Sequence, residues 1–413
     1  MSAYQASFKY NCEVSFNYEG QAIRIIPECI KYIIIDYDYK NAIMPIIYIK
    51  ASLPAKTYNK MVPAQGGKGK LYFKLYRTKK NVTSASPKSI IYDEFDYFMP
   101  DDPNTFKELD EVDGTDGIVY KDCTIGLLKT ELTRQNQKVF EGIYKATNTA
   151  SLVQSATSHM KMVMQPFINN VNIDSLSCPT VGSVGQFINY INSQYSFYNG
   201  SYTYFMDFDK TYLRSNDGSY LDAKDGDYKY IAFDIRNMSQ YQAQTTGIVD
   251  DYVQDAYIIY VDASDAHIEI DRGGSELNSN VITVDSNGTS ESVQIDTSAI
   301  TSIQTNLSGA NVIKSDDPNA AAVAAGTLGE SSGSLIVTKI DMDTKIFTPN
   351  KQYLLSNYED NPAYCGIYYM IYRKEIYLRT GTDLTNQTTI GMKKVSDFIK
   401  TQNTQLSSVG VGT

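Results

Sequence analysis

The sequence predicts a mainly β protein of the α+β class, and three observations carry that reading. The first is composition: the 413 residues include 34 Tyr and 15 Phe but no Trp. Such rings favour strands and half-buried sheet surfaces, where the tyrosine hydroxyl still reaches water. The second is a period of two, because Phe8, Tyr10, Cys12, Val14, Phe16 and Tyr18 alternate with polar residues, as a strand with one buried face requires. The third is the spacing of such runs, which suits a barrel or sandwich better than alternating β-α units.

Taken in order, residues 21–26 follow Gly20 and complete a hairpin with the first run. Residues 30–39 and 46–50 are two further strands, separated by a polar Lys40-Asn41 turn and Pro45, and Leu71, Phe73 and Leu75 turn one face of another strand inward. From 79 to 117 the character changes to Ser-Ala-Ser-Pro and then to acids between Asp101 and Asp116, which reads as a solvated excursion from the sheet edge. Residues 118–129 and 139–145 return to strand patterning.

A helix is expected over 149–162, with Leu152, Val153, Ala156 and Met160 on one side. A second is expected over 181–195, where Val181, Val184, Phe187, Ile188 and Ile191 recur at three- and four-residue spacing and Thr180 can cap. It leads through Phe197-Tyr198-Asn199-Gly200 into an aromatic strand, residues 202–213, that ends in a turn. Helices and strand make a middle α+β region, 146–237. Residues 250–270 read as strands, 272–334 as an inserted small β-domain or a long decorated loop, 335–340 as a strand again, and 401–413 as a loose tail.

The net charge of −10 argues against holding nucleic acid by its phosphates, which needs clustered Lys and Arg. It leaves room for a channel through which DNA slides without sticking. Cys12, Cys29, Cys123, Cys178 and Cys365 are odd in number and lack paired metal-ligand spacing, so they read as buried free thiols. No signal peptide is visible, and the longest apolar run, 43–49, is broken by Pro45 and too short to span a bilayer. A soluble protein folded in a reducing cytoplasm is expected.

Chemistry-bearing patterns are weak. Asp36-Asp38, Asp207-Asp209 and Asp341-Asp343 each place two carboxylates on one side of an extended strand, but a cation needs more ligands and Asp is common where strands turn. Gly66-Gly67-Lys68-Gly69-Lys70 fails as a phosphate loop, since Ala64 stands at the first glycine position and Leu71 where Ser or Thr would hold magnesium. His159 and His267 have no ligand-spaced neighbours, and no Gly-x-Ser-x-Gly elbow is present. The expectation is no enzyme: no catalytic residue, no cofactor and no metal.

The middle stretch resembles the central segment of the baseplate hub proteins of contractile-tailed bacteriophages, in which a helix runs into Tyr-x-x-Phe-Phe-x-Asp-Phe-x-x-x-Tyr-Leu-Leu. Here Phe205, Asp207, Phe208, Tyr212 and Leu213 match, Tyr204 stands beside Phe205, Tyr202 stands one place after the first Tyr, and Arg214 departs from the usual apolar residue. The opening, 30–39 and 44–48, resembles the first barrel of that family. The close, at 348–353, 366–369 and 390–395, resembles its last. The resemblance covers about two-thirds of the chain and leaves out 272–334.

The resemblance implies two tail-tube-like β-barrel domains, 1–145 and 238–400, flanking the middle region. It implies a homotrimer with pseudo-sixfold symmetry that joins the tail tube or its initiator proteins to the central spike, contacts baseplate wedge proteins and lines the DNA channel. Such a protein sits in the virion, in the tail baseplate, after assembly in the host cytoplasm. Phe205, Phe208 and Tyr212 are then packing anchors of the middle unit. The rival readings are a β-rich receptor- or glycan-binding tail protein with exposed tyrosines and an acid-dependent hydrolase built on two carboxylates that meet in space.

Overall fold

The computed structural model describes residues 8–39, 42–65, 67–79, 88–100, 112–113, 119–198, 202–215, 230–237, 256–269, 280–284, 290–294, 311–314, 334–340, 349, 352–358, 360, 362, 365–366, 368–379 and 385–394. The opening alternation becomes strand β1 (Phe8–Tyr18), which turns back into β2 (Gln21–Ile25). Tyr18 pairs with Gln21, so the loop has two residues. Both of them, Glu19 and Gly20, have positive φ (50° and 76°), the turn handedness that matches the twist of paired strands.

Then follow β3 (Ile30–Asp38), β4 (Ile46–Pro54), helix α1 (Ala55–Ala64), β5 (Lys70–Lys79), β6 (Lys88–Phe98), β7 (Val112–Asp113) and β8 (Val119–Lys129). Helix α2 (Thr130–Asn136), β9 (Phe140–Asn148), helix α3 (Thr149–Ala156), β10 (Met162–Met164), β11 (Asn172–Val181), helix α4 (Val184–Tyr195), β12 (Tyr202–Met206) and β13 (Thr211–Ser215) make the middle of the chain. The last part holds β14 (Tyr230–Arg236), β15 (Ala256–Asp262), β16 (Ala266–Glu269), β17 (Asn280–Val284), β18 (Ser290–Gln294), β19 (Asn311–Lys314), β20 (Ser334–Ile340), β21 (Gln352–Tyr358), β22 (Tyr368–Arg379) and β23 (Thr385–Lys394).

One sheet of 15 strands links the two ends of the chain, in the order β15-β14-β21-β22-β3-β4-β8-β6-β5-β1-β2, with β16, β20 and β23 branching from β22 and β7 from β8. Among the described residues this ladder does not close on itself. The splice is β22. It runs antiparallel to β3, with Ile376 opposite Ile35 and Lys374 opposite Tyr37, and its other edge takes β23. The polar stretch contributes β17, β18 and β19, a separate three-stranded sheet.

Two cores result. The larger gathers the inward rows of the large sheet, among them Tyr10, Phe16, Ile35, Ile49, Phe73, Phe95, Ile125, Phe233, Tyr353 and Ile376. The second is built by the middle elements, from Phe140, Leu152, Val153, Leu176, Phe187, Ile188, Ile191, Phe197 and Tyr198. Four of the five cysteines are buried and all are free, and burial pushes the Cys12 thiol up to about 11.

Four expectations need correction. The stretch 79–117 is not only a solvated excursion, because β6 lies in it, between β5 and β8 in the large sheet. Its inward row, Ile91, Phe95 and Tyr97, is buried, while Asp93 and Asp96 form ion pairs with Lys129 and Lys70. Helix α4 starts at Val184 under Ser183, whose side chain accepts from the Gln186 amide; Val181 ends β11, and the Thr180 hydroxyl donates to Glu141 instead. The first expected helix stops at Ala156, and Met162 opens β10. Residues 202–213 are not one strand: they form a hairpin, β12 and β13, whose turn is closed by the Asp207 amide donating to the Lys210 carbonyl at 2.7 Å. Asp101 to Asp110 and the tail 401–413 lie outside the described residues.

The glycine-rich run owes Gly69 to packing. A Cβ there would stand 2.7 Å from Phe16 Cε2 and 3.2 Å from Ala64 Cβ, and Phe16 is fully buried. Gly69→Ala should therefore destabilise the fold by roughly 1–3 kcal/mol, read as a lower urea midpoint; an unchanged midpoint would show that the core yields there at no cost.

Candidate functional site

The part of the molecule with the greatest concentration of buried chemistry is the junction between the two cores, and the β12–β13 hairpin builds it. Alternation along the strands sorts its side chains. Phe205 and Tyr212 belong to the large core, as does Phe208 from the turn, whereas Met206 and Leu213 belong to the second core. Tyr202 and Tyr204 pack on the second core as well. The hairpin is thus a wall with an apolar face on each side. Its second-core face is fixed further by β10, which pairs in parallel with β13.

On the large-core side the rings interlock. Phe205 stacks on Tyr212 with centroids 4.9 Å apart and meets Tyr39 at 4.5 Å. Phe208 meets Tyr37 edge-on at 5.7 Å and Phe95 at 6.1 Å. Offset and edge-to-face pairs at these separations add to the area they bury. The three anchors expected from sequence, Phe205, Phe208 and Tyr212, are 1%, 7% and 6% exposed, and β3 and β6 supply their partners.

Charged groups frame the rings. Lys374 of β22 is buried and holds its ammonium 4.2 Å from the Tyr37 ring centre, a cation over a π face. Burial lowers its pKa, and the charge of Asp207 opposes that fall. Asp207 is half-buried; loss of water raises its pKa against the pull of Lys374 and of the Phe208 amide, which donates to its Oδ1 at 2.7 Å. Burial together with the nearby Asp207 raises the Tyr37 and Tyr39 phenols well above their ordinary range. Lys129 ties the turn to the sheet, donating to the Phe208 carbonyl at 2.8 Å while paired with Asp93 at 2.9 Å.

Arg214, the departure from the resembled pattern, is 5% exposed. It lies over the Phe205 ring and donates to the carbonyls of Pro349 and Ile371. The hairpin is thereby bound to the C-terminal segments as well as to β3. Neither Arg214 nor Lys374 was legible as part of this cluster, because the carbonyls that Arg214 meets and the Tyr37 ring that Lys374 meets lie more than a hundred residues away in sequence.

The other patterns do not converge. Asp36 is engaged by Arg373 at 3.4 Å, Asp209 is exposed, and Asp341-Asp343 lies outside the described residues. Lys70 of the glycine run pairs with Asp96, and His159 Nε2 lies 2.9 Å from the Gln135 carbonyl. Among the described residues no group of three His, Cys, Asp or Glu is placed to hold a metal ion, and no helix is long and apolar enough to cross a membrane.

Comparison with known proteins gives this fold a context. The sequence pattern of the family described as bacteriophage PBS1 gene 109 protein matches residues 3–395. The chain belongs to that family. Comparison with curated proteins returns no match. Among solved structures, a tail protein from Neisseria meningitidis MC58 is similar with a TM-score of 0.50 at 10% identity, over 93% of this chain and 96% of that one. A 43 kDa tail protein of prophage MuSo2 from Shewanella oneidensis follows with a TM-score of 0.49, 10% identity, and 94% and 99% coverage. A chain of the Francisella PdpA-VgrG complex has a TM-score of 0.48 at 11% identity, over 95% of this chain and 54% of that one. This member of the PBS1 gene 109 family shares its β-rich fold with the N. meningitidis tail protein.

Two outcomes test the junction. Phe208→Ala should cost about 3–5 kcal/mol in chemical denaturation, and an unchanged midpoint would remove Phe208 from the core. In Lys374→Met the carboxyl of Asp207 loses the charge that holds its raised pKa down. A raised carboxyl pKa gives stability that is present at low pH and lost as the pH rises through it. The variant should therefore lose stability more steeply than the parent as pH rises from about 4 towards neutral; parallel stability curves over that window would contradict the coupling.

Proposed function

We propose that this protein is the central hub of a contractile phage tail baseplate, a ring that connects the tail tube to the central spike and lines the DNA channel. The observation that carries the reading is the match over nearly the whole length of both chains to the N. meningitidis tail protein, 93% and 96%. A family pattern spanning residues 3–395 supports it, as does the Tyr202–Leu213 motif resembling the hub proteins.

In this reading the two ends of the large sheet are two tail-tube-related barrels. One is built on β1 to β8 and falls within 1–145. The other is built on β14 to β16 and β20 to β23 and falls within 238–400 together with the last strand before it, β14. The middle region, 146–237, sits between them, and the β3–β22 seam holds the barrels in one subunit. Three subunits with two similar barrels each would present six similar units to a sixfold tube and three to a threefold spike. Tail-tube, initiator and wedge proteins are its neighbours in the virion, where it acts after assembly in the host cytoplasm. An acidic chain, −10 overall, repels DNA phosphates and lets the genome slide through such a ring. Its work is mechanical, without a catalytic residue, cofactor or specific nucleic-acid contact.

Light scattering on the purified protein, alone and with its spike partner, tests this directly. The expected mass is three times 46.2 kDa, either for the protein alone or once the spike is added. A monomer that ignores the spike would overturn the ring.

A further inference from the structure

Away from the junction, the outward face of β2, β1 and β5 holds an open groove of about 600 Å³. Its floor is small, Ser15 and Ala22, and its walls are Glu13 and Asn17 of β1, Arg24 of β2, and Tyr72 and Lys74 of β5. The pairing registers make this a single surface: Ser15 lies between Arg24 and Tyr72, Asn17 lies opposite Ala22, and Glu13 lies opposite Lys74.

The polar groups there are unevenly satisfied. Glu13 lies 3.9 Å from Lys74, and Glu94, next to the groove, accepts from the Tyr72 hydroxyl at 2.6 Å. Both nearby acids are therefore engaged. Arg24 is exposed, and among the described residues its charge bears only on the Tyr76 phenol, which it favours in the ionised form. Tyr72 is 38% exposed, its ring held in place by the bond to Glu94.

A guanidinium without a carboxylate among the described residues and a fixed, partly exposed ring ask for two things in one ligand: an acid group and an apolar C–H face. We propose that this groove binds an anionic saccharide. Arg24 takes the acid group by paired N–H donors, and the Tyr72 ring supports the C–H face of the pyranose. The shallow, open shape suits one or two residues of a longer glycan. This goes beyond the hub reading and does not depend on it.

The test is an array of neutral glycans and glycans bearing uronate, sialate or phosphate, followed by calorimetric titration of the best binder. The expected result is saturable binding of acidic members only, at about 1 mM or tighter, weakened by salt. Arg24→Ala and Tyr72→Ala should each lower affinity by roughly tenfold or more with melting unchanged, while Tyr72→Phe, which keeps the ring, should retain most of it. An array without an acidic binder, equal binding of neutral glycans, or binding indifferent to Arg24→Ala would overturn the proposal. The subunit mass by light scattering judges the hub reading separately.

Discussion

The structure depends on one hairpin that is buried on both sides. An ordinary sheet needs one apolar face, and its other face can be wet. The β12–β13 pair has Phe205 and Tyr212 on one side and Met206 and Leu213 on the other, each row committed to a different core. Any slip of register by a single residue would exchange the two rows, so the packing of either core fixes the alignment of the other. Phe208 and the closing turn extend this wedge into the space between Tyr37 and Phe95.

Buried charge adds direction to that apolar contact. Arg214 and Lys374 would be costly inside a core without partners, and the fold meets them with backbone carbonyls, aromatic faces and Asp207. These contacts have geometry where ring packing has little, and they run from the hairpin to β22 and the segment around Pro349. The strand β22 in turn pairs with β3. Middle region, N-terminal strands and C-terminal strands therefore meet at one place.

Much of this was legible in the sequence where a local pattern decides the structure. The alternation in β1, β3, β4 and β5, the hairpin after Gly20, and the apolar face of α4 are period effects, and they appear where the residues say. Legibility failed where acids masked a strand. Glu94 and Asp96 sit on the outward row of β6, and Asp93, on the inward row opposite Phe73, is taken up by Lys129, which leaves Ile91, Phe95 and Tyr97 inside. Helix α1 was missed because Lys56, Asn59, Lys60 and Pro63 dilute its stripe of Tyr58, Met61 and Ala64. At the junction, sequence singled out Phe205, Phe208 and Tyr212 but not Tyr37, Tyr39, Phe95, Arg214 or Lys374, since nothing local marks which distant strand an aromatic ring will meet.

The central claim is that the hairpin makes the two cores one cooperative body. Native-state hydrogen exchange with increasing denaturant measures this, because it reports the opening free energy of each segment separately. Amides of α4 and β13, in the second core, should open together with those of β3 and β22, at one common free energy. Exchange of the middle region at a clearly lower free energy, with β3 and β22 still protected, would show two independent bodies and contradict the account.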